Sequence, residues 1–190
     1  NNPVIRYNLF KYIATKNVGL CNYTFRMSAA VSNATPSGAN SYVEYNYFDS
    51  IGLAIQSHTF LPGRTCSYSY NYIQDYGVTI SDCAAIYMAS DWDRTVKTVK
   101  NNIIRDAITS GPRYYSYGPD AVNPHASLHP HALYVDEAGF AYHCDSNTIV
   151  NTSFAFYTNR SHSSKFNHNN VVNADLYNSS TYNAIYMKDQ

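Results

Sequence analysis

The stretch Asn46-Tyr47-Phe48-Asp49-Ser50-Ile51-Gly52-Leu53-Ala54-Ile55 restarts as Asn71-Tyr72-Ile73-Gln74-Asp75-Tyr76-Gly77-Val78-Thr79-Ile80. Each copy reads as an Asn, any residue and an apolar residue, closed by Gly and a short run with alternating apolar positions. The same opening recurs at Asn8-Leu9-Phe10, Asn102-Ile103-Ile104, Asn147-Thr148-Ile149 and Asn170-Val171-Val172. Comparable runs stand at Ser153-Phe154-Ala155-Phe156 and Ala184-Ile185-Tyr186-Met187. Intervals of about 25 residues (Asn46 to Asn71) and about 23 (Asn147 to Asn170) fall in the range of solenoid coils. Longer intervals carry insertions.

A strand buries every second side chain. Leu53 and Ile55, Val78 and Ile80, Phe154 and Phe156, and Ile185 and Met187 are therefore expected to face a core. Asn suits the corners for two reasons: it tolerates left-handed backbone, and amides stacked on successive coils hydrogen-bond along a ladder. These features predict an all-β chain folded as a right-handed parallel β-helix of about six to eight coils. A long loop insertion is expected near residues 111–131. Residues 1–190 read as a single β-helix domain. Both ends fall inside the repeat, so the reading is a segment of a longer β-helix, or one whose ends self-association or flanking domains cover.

Hydrophobic residues make up 45% of the 190, enough to bury a core, which excludes a disordered chain. Thirteen basic residues balance thirteen acidic ones, leaving no field to attract nucleic acid or an anionic membrane. No apolar run approaches the roughly 18 residues that span a bilayer. Neither nucleic acid nor membrane is expected as a partner. Charged residues are 14% while Tyr reaches 20 copies, and that neutral hydrogen-bonding surface suits an extracellular or cell-surface setting. Cys21, Cys66, Cys83 and Cys144 follow no metal-ligand spacing, so no metal or other cofactor is expected. Disulfides and buried free thiols both fit them.

Asp82-Cys83-Ala84-Ala85-Ile86-Tyr87 and Ala132-Leu133-Tyr134-Val135-Asp136-Glu137-Ala138-Gly139 carry a further pattern. With the chain from about Asn71 to Asp175, they resemble the secreted right-handed β-helix proteins of the pectate-lyase-like superfamily. The first resembles a family coil reading Asp-Gly-Gly-Ala-Ile-Tyr, the second one reading Gly-Ile-Tyr-Leu-Asp-Glu-Gly. The resemblance implies a glycan-active or glycan-binding protein, since many relatives are polysaccharide hydrolases or lyases. Where relatives often carry histidines, Phe154-Ala155-Phe156-Tyr157-Thr158-Asn159-Arg160 keeps only the Arg. The Asp-Asp and Gly-His-Gly segments of polygalacturonases are missing.

Asp136 and Glu137 follow the strand Leu133-Tyr134-Val135, and Asp82 precedes the corresponding strand of an earlier coil. Paired carboxylates about 5 to 9.5 Å apart are the equipment of glycoside hydrolysis, so these three are the catalytic candidates. Solvated, turn-capping carboxylates are the plainer alternative. Tyr87, Tyr134 and Tyr186 take outward strand positions, where a column of exposed aromatic faces stacks on sugar rings; plain sheet surface, or packing under a loop, is the alternative. Trp92, between Asp91 and Asp93, offers a second platform. Tyr114, Tyr115 and Tyr117 in the insertion, with His131 after it, complete a carbohydrate-binding set. His125, His129 and His131 have no carboxylate beside them to orient a metal site.

The expectation is a secreted carbohydrate-active β-helix that hydrolyses a polysaccharide with paired carboxylates. The alternative is a non-catalytic structural or adhesive extracellular module.

Overall fold

A computed structural model of the chain describes residues 4–13, 29–33, 40–58, 65–77, 84–89, 96–108, 130–136, 140–152, 154–159, 161–174 and 185–188. These residues form strands and no helix. In chain order the strands come in threes. The first three are β1 (Val4–Arg6), β2 (Leu9–Lys11) and β3 (Ala29–Asn33), and the next are β4 (Ser41–Glu44), β5 (Tyr47–Ile51) and β6 (Leu53–His58). Then follow β7 (Cys66–Ser69), β8 (Tyr72–Tyr76), β9 (Ala84–Ala89), β10 (Lys97–Lys100), β11 (Ile103–Arg105) and β12 (His131–Val135). The last six are β13 (Tyr142–Asp145), β14 (Thr148–Thr152), β15 (Phe154–Asn159), β16 (Lys165–Asn167), β17 (Asn170–Ala174) and β18 (Ile185–Lys188). Strands three apart pair in parallel, giving three six-stranded sheets: a first from β1 to β16, a second from β2 to β17 and a third from β3 to β18.

Alternation builds the interior. Ile5, Val43, Tyr68, Val99, Cys144 and Phe166 share one register column of the first sheet. Phe10, Phe48, Ile73, Ile104, Ile149 and Val171 share one in the second. All twelve belong to or pack against one hydrophobic core. Phe10 stacks on Phe48 with ring centroids 4.8 Å apart, so identical residues on neighbouring strands pack as a continuous stack. Deeper still, the hydroxyls of Tyr76 and Thr152 hydrogen-bond at 2.7 Å across two strand spacings. Cys66 and Cys144 are buried, and burial pushes the Cys144 thiol up. Cys21 and Cys83 lie outside the described residues.

The third sheet departs from simple alternation. Ala54 and Ile55, Ala85 and Ile86, Ala132 and Leu133, and Ala155 and Phe156 all lie in the core, two successive side chains on each strand. The ladder passes over the Ala, running from His131↔Phe154 to Leu133↔Phe156. A bend at a residue this small turns both side chains inward and sends the preceding one to the other side. Leu53, expected in the core, instead joins Ala84, Tyr87 and Tyr134 in a second cluster. Phe154 likewise packs against His131 and Tyr157. Ile55 and Phe156 take the expected inward positions. Val78 and Ile80 lie outside the described residues.

The Asn ladder is present, with one shift in register. Asn8, Asn46, Asn71, Asn102, Asn147 and Asn169 are linked amide to amide, at sequence separations of 38, 25, 31, 45 and 22. Asn169, not Asn170, is the last member, and Asn170 opens β17 opposite Thr148. Asn102 shows the full bonding of one amide. Its Nδ2 donates to Tyr68 O at 2.8 Å and to Asn147 Oδ1 at 2.9 Å, while its Oδ1 accepts from Asn71 N at 2.9 Å and Asn71 Nδ2 at 3.0 Å. The left-handed backbone expected of Asn falls one residue earlier, on Tyr7, Tyr45, Tyr70, Asn101, Ser146 and His168, with φ between 50° and 58°. Such a conformation costs a non-glycine residue about 1–2 kcal/mol. The ladder's hydrogen bonds offset that cost, each contributing about 1 kcal/mol. A second set of left-handed residues, Tyr12, Ser50, Asp75, Asp106, Asn151 and Asn173, turns the chain near the end of each strand of the second sheet.

Candidate functional site

Two faces of the molecule gather side chains suited to chemistry. In the third sheet Gln56, Tyr87, Tyr134, Tyr157 and Tyr186 occupy one register column. Tyr87 meets Tyr134, and Tyr134 meets Tyr157, edge to face at 4.9 and 4.6 Å. The His131 ring stacks on Tyr157 at 4.4 Å and sets its edge against Tyr134 at 5.1 Å. Tyr87 and Tyr134 are only 9% and 5% exposed and His131 is fully buried, so these rings face one another and present no open aromatic surface.

Asp136 closes this cluster from the strand end. The Tyr87 hydroxyl donates to its Oδ2, and Asn159 Nδ2 donates to its Oδ1 at 2.7 Å. Its own N–H donates to Met88 O at 2.7 Å. A carboxylate held at both oxygens is positioned, and it fixes the Tyr87 ring in turn. Glu137, Asp82, Trp92, Tyr114, Tyr115 and Tyr117 lie outside the described residues.

The second face spans the first corner and the outer side of the second sheet. At each of the first three corners the Asn side chain enters the ladder, while its two neighbours turn outward. Tyr7, Tyr45 and Tyr70 precede the Asn residues and stack with centroids 5.4 and 4.8 Å apart and planes 19° and 1° from parallel. They are 78%, 44% and 49% exposed. Tyr47 and Tyr72 follow the Asn residues and stack at 5.1 Å, with exposed Leu9 and Ile103 continuing their row. Between the rows runs an open groove of about 530 Å³. Rings stacked this closely cover one another's faces, so the rows offer edges and phenol hydroxyls to solvent. The sequence signal for this groove is the repeat Tyr45-Asn46-Tyr47 and Tyr70-Asn71-Tyr72, begun by Tyr7-Asn8-Leu9. Reading only the Asn of each unit misses it.

Beyond Tyr47 and Tyr72 the same sheet carries a row of ionised groups. Lys11 Nζ sits 2.8 Å from Asp49 Oδ2, and Ser50 Oγ donates to Asp49 Oδ1 at 2.8 Å. Arg105 Nε contacts Asp106 Oδ2 at 2.5 Å, and Asn151 Nδ2 donates to Asp106 Oδ1 at 2.7 Å. Asp75 sits between them in the stack, next to the paired positions Asp49↔Gln74 and Gln74↔Arg105, with only a long 3.5 Å contact from Gln74.

Their proton affinities diverge accordingly. The Lys11 hydrogen bond, with that of Ser50, holds Asp49 below the usual carboxylate range. Burial pushes Asp75 up, reinforced by the charges of Asp49 and Asp106. Burial would raise Asp106 too, but hydrogen bonds from Asn151 and Arg105 keep it low. Burial, then the Asp49 charge, raises the Tyr47 phenol. Among the described residues no three His, Cys, Asp or Glu side chains are grouped to hold a metal ion.

No protein-family model matches the chain, and no curated protein or solved structure matches it.

Proposed function

We propose that the chain is a right-handed parallel β-helix of six coils that takes up polysaccharide along its second sheet, outside the cell. The coil reading is supported by the parallel pairing of strands three apart and by the repeated corners. Right-handed winding is the sense that parallel crossovers adopt. The likeness to the pectate-lyase-like superfamily at Asp82–Tyr87 and Ala132–Gly139 points the same way.

The observation that carries the glycan reading is the exposed groove between two tyrosine rows. Sugars present hydroxyls around apolar C–H surfaces. A groove offering phenol hydroxyls and apolar edges at intervals of one strand spacing, about 4.8 Å, suits an extended polymer of them. Asp75, Asp49 and Asp106 give hydrolysis a place on the same face, since neighbouring carboxyls whose proton affinities are shifted in opposite directions suit the roles of acid and base. Asp75 would give its proton to the glycosidic oxygen. Asp49 or Asp106 would act as the ionised partner, activating water or attacking the sugar carbon.

Binding of a polysaccharide panel, followed by affinity electrophoresis and reducing-end release, tests this. Tyr45→Ala with Tyr47→Ala is expected to weaken binding at least about tenfold, each lost sugar contact being worth roughly 1 kcal/mol. Asp75→Asn is expected to stop reducing-end release. A panel in which nothing binds sinks the reading. A non-catalytic adhesive module is the second reading, favoured by the pairing of Asp49 and Asp106 with cations, which occupies both ionised carboxylates. Wild-type protein that binds but releases no reducing ends would establish it.

A further inference from the structure

We infer that the tyrosine groove takes an extended, β-1,4-linked glycan with one sugar seated on each of its three coils; the inference rests on the glycan reading of that groove. The groove runs along the direction in which strands stack, and its two walls repeat together. Each coil contributes the residue before its ladder Asn to one wall and the residue after it to the other: Tyr7 with Leu9, Tyr45 with Tyr47, and Tyr70 with Tyr72. Between ring centroids, the step from coil to coil is 5.4 and 4.8 Å along the first wall and 5.1 Å along the second.

That step discriminates between linkages. In an extended β-1,4-linked chain each sugar advances by about one strand spacing, so successive rings stay in phase with successive coils. Neighbouring sugars of such a ribbon also turn their edges to opposite sides. In the second and third coils a tyrosine stands on both walls, so either orientation meets a phenol hydroxyl. An α-1,4- or β-1,3-linked glucan curves into a helix and advances less per sugar, so it drifts out of phase with the coils. The groove ends at the fourth coil, where exposed Asn101 takes the corner position and exposed Ile103 stands beside Tyr72. Asn101 keeps the left-handed backbone of the corners before it, with φ of 54° against 58° at Tyr70. What the fourth coil lacks is therefore the two phenols and not the scaffold that would hold them.

Calorimetry on the full chain tests this with neutral oligomers of increasing length: β-1,4-linked glucose, mannose, xylose and N-acetylglucosamine, against α-1,4- and β-1,3-linked glucose. The tightest ligand should be β-1,4-linked. Its affinity should rise about fivefold per sugar, as one net hydrogen-bonded contact per coil provides, and level off beyond the trisaccharide. Tyr70→Asn, whose left-handed backbone Asn also adopts, should remove the gain from the third sugar. Asn101→Tyr with Ile103→Tyr should build a fourth seat and extend the rise to the tetrasaccharide. A tightest ligand that is α-1,4- or β-1,3-linked, or a length dependence that neither variant moves, overturns the register of one sugar per coil while leaving the groove reading intact. Failure of every oligomer here, while another polysaccharide binds, likewise overturns the register alone. If nothing binds, both readings fall.

Discussion

Tyrosines stand in outward columns on two sides of this molecule, and the two columns do different work. On the third sheet Tyr87, Tyr134 and Tyr157 meet edge to face and lock with His131, the first two buried and Tyr157 half-buried. At the first corner Tyr7, Tyr45 and Tyr70 lie parallel and remain open to solvent. The residue type and the strand spacing are the same in both. What differs is the backbone beneath. The third-sheet strands set these rings beside apolar neighbours such as Leu53 and Ala84, whereas a left-handed corner residue projects its ring away from the sheet. An outward position in the alternation is thus not an exposed position.

The largest effect should come from the ladder that maintains the corners. Asn102→Ala removes a side chain that bonds to Tyr68, Asn71 and Asn147, leaving buried donors and acceptors on three residues unsatisfied. At about 1–3 kcal/mol for each such group, the loss should reach about 4 kcal/mol or more in a denaturant titration. An equal loss from Asn8→Ala, where the ladder is more exposed, would show that burial is not what gives the ladder its strength.

Next in size is the contrast between the columns. Tyr134→Ala opens a cavity among Tyr87, Tyr157 and His131 and should cost about 3 kcal/mol or more. Tyr45→Ala removes a ring from the exposed stack and should cost less than about 1 kcal/mol. Denaturation midpoints of the two variants measure the difference directly. Equal losses would mean that the corner stack is structural, and the groove would lose its claim to be a binding surface.

The parts of this fold that were legible in sequence are those repeated with fixed chemistry. Asn8, Asn46, Asn71, Asn102 and Asn147 were readable because each corner needs an amide that can bond above and below itself. The last rung was misassigned because Asn169 and Asn170 stand side by side, and only the pairing of Asn170 with Thr148 separates them. Leu53 was assigned to the core because alternation was extended through Ala54, where the strand bends. No residue type announces that bend except the recurrence of Ala at 54, 85, 132 and 155. The carboxylates of the second sheet were passed over for a different reason. Asp49, Asp75 and Asp106 are scattered in sequence and become neighbours only when strands three apart pair.

The smallest expected effect is also the most specific to that row. Asp75 has its folded pKa raised by burial and by the charges of Asp49 and Asp106, so the folded state holds its proton more tightly than the unfolded chain does. As pH rises from the ordinary value of 3.8 through the raised one, ionisation of Asp75 subtracts stability from the fold. Asp49, lowered by Lys11, works in the opposite sense: its contribution is present above 3.8 and is lost as pH falls through its folded value. Asp75→Asn should therefore raise the denaturation midpoint at neutral pH, and the gain should fade as pH drops through the raised value towards 3.8. Asp49→Asn should lower the midpoint at neutral pH, with the loss fading on acidification. If both substitutions shift stability in the same direction at neutral pH, the proton affinities of the two carboxylates are not shifted in opposite directions, and the acid and base roles assigned to this face lose their basis.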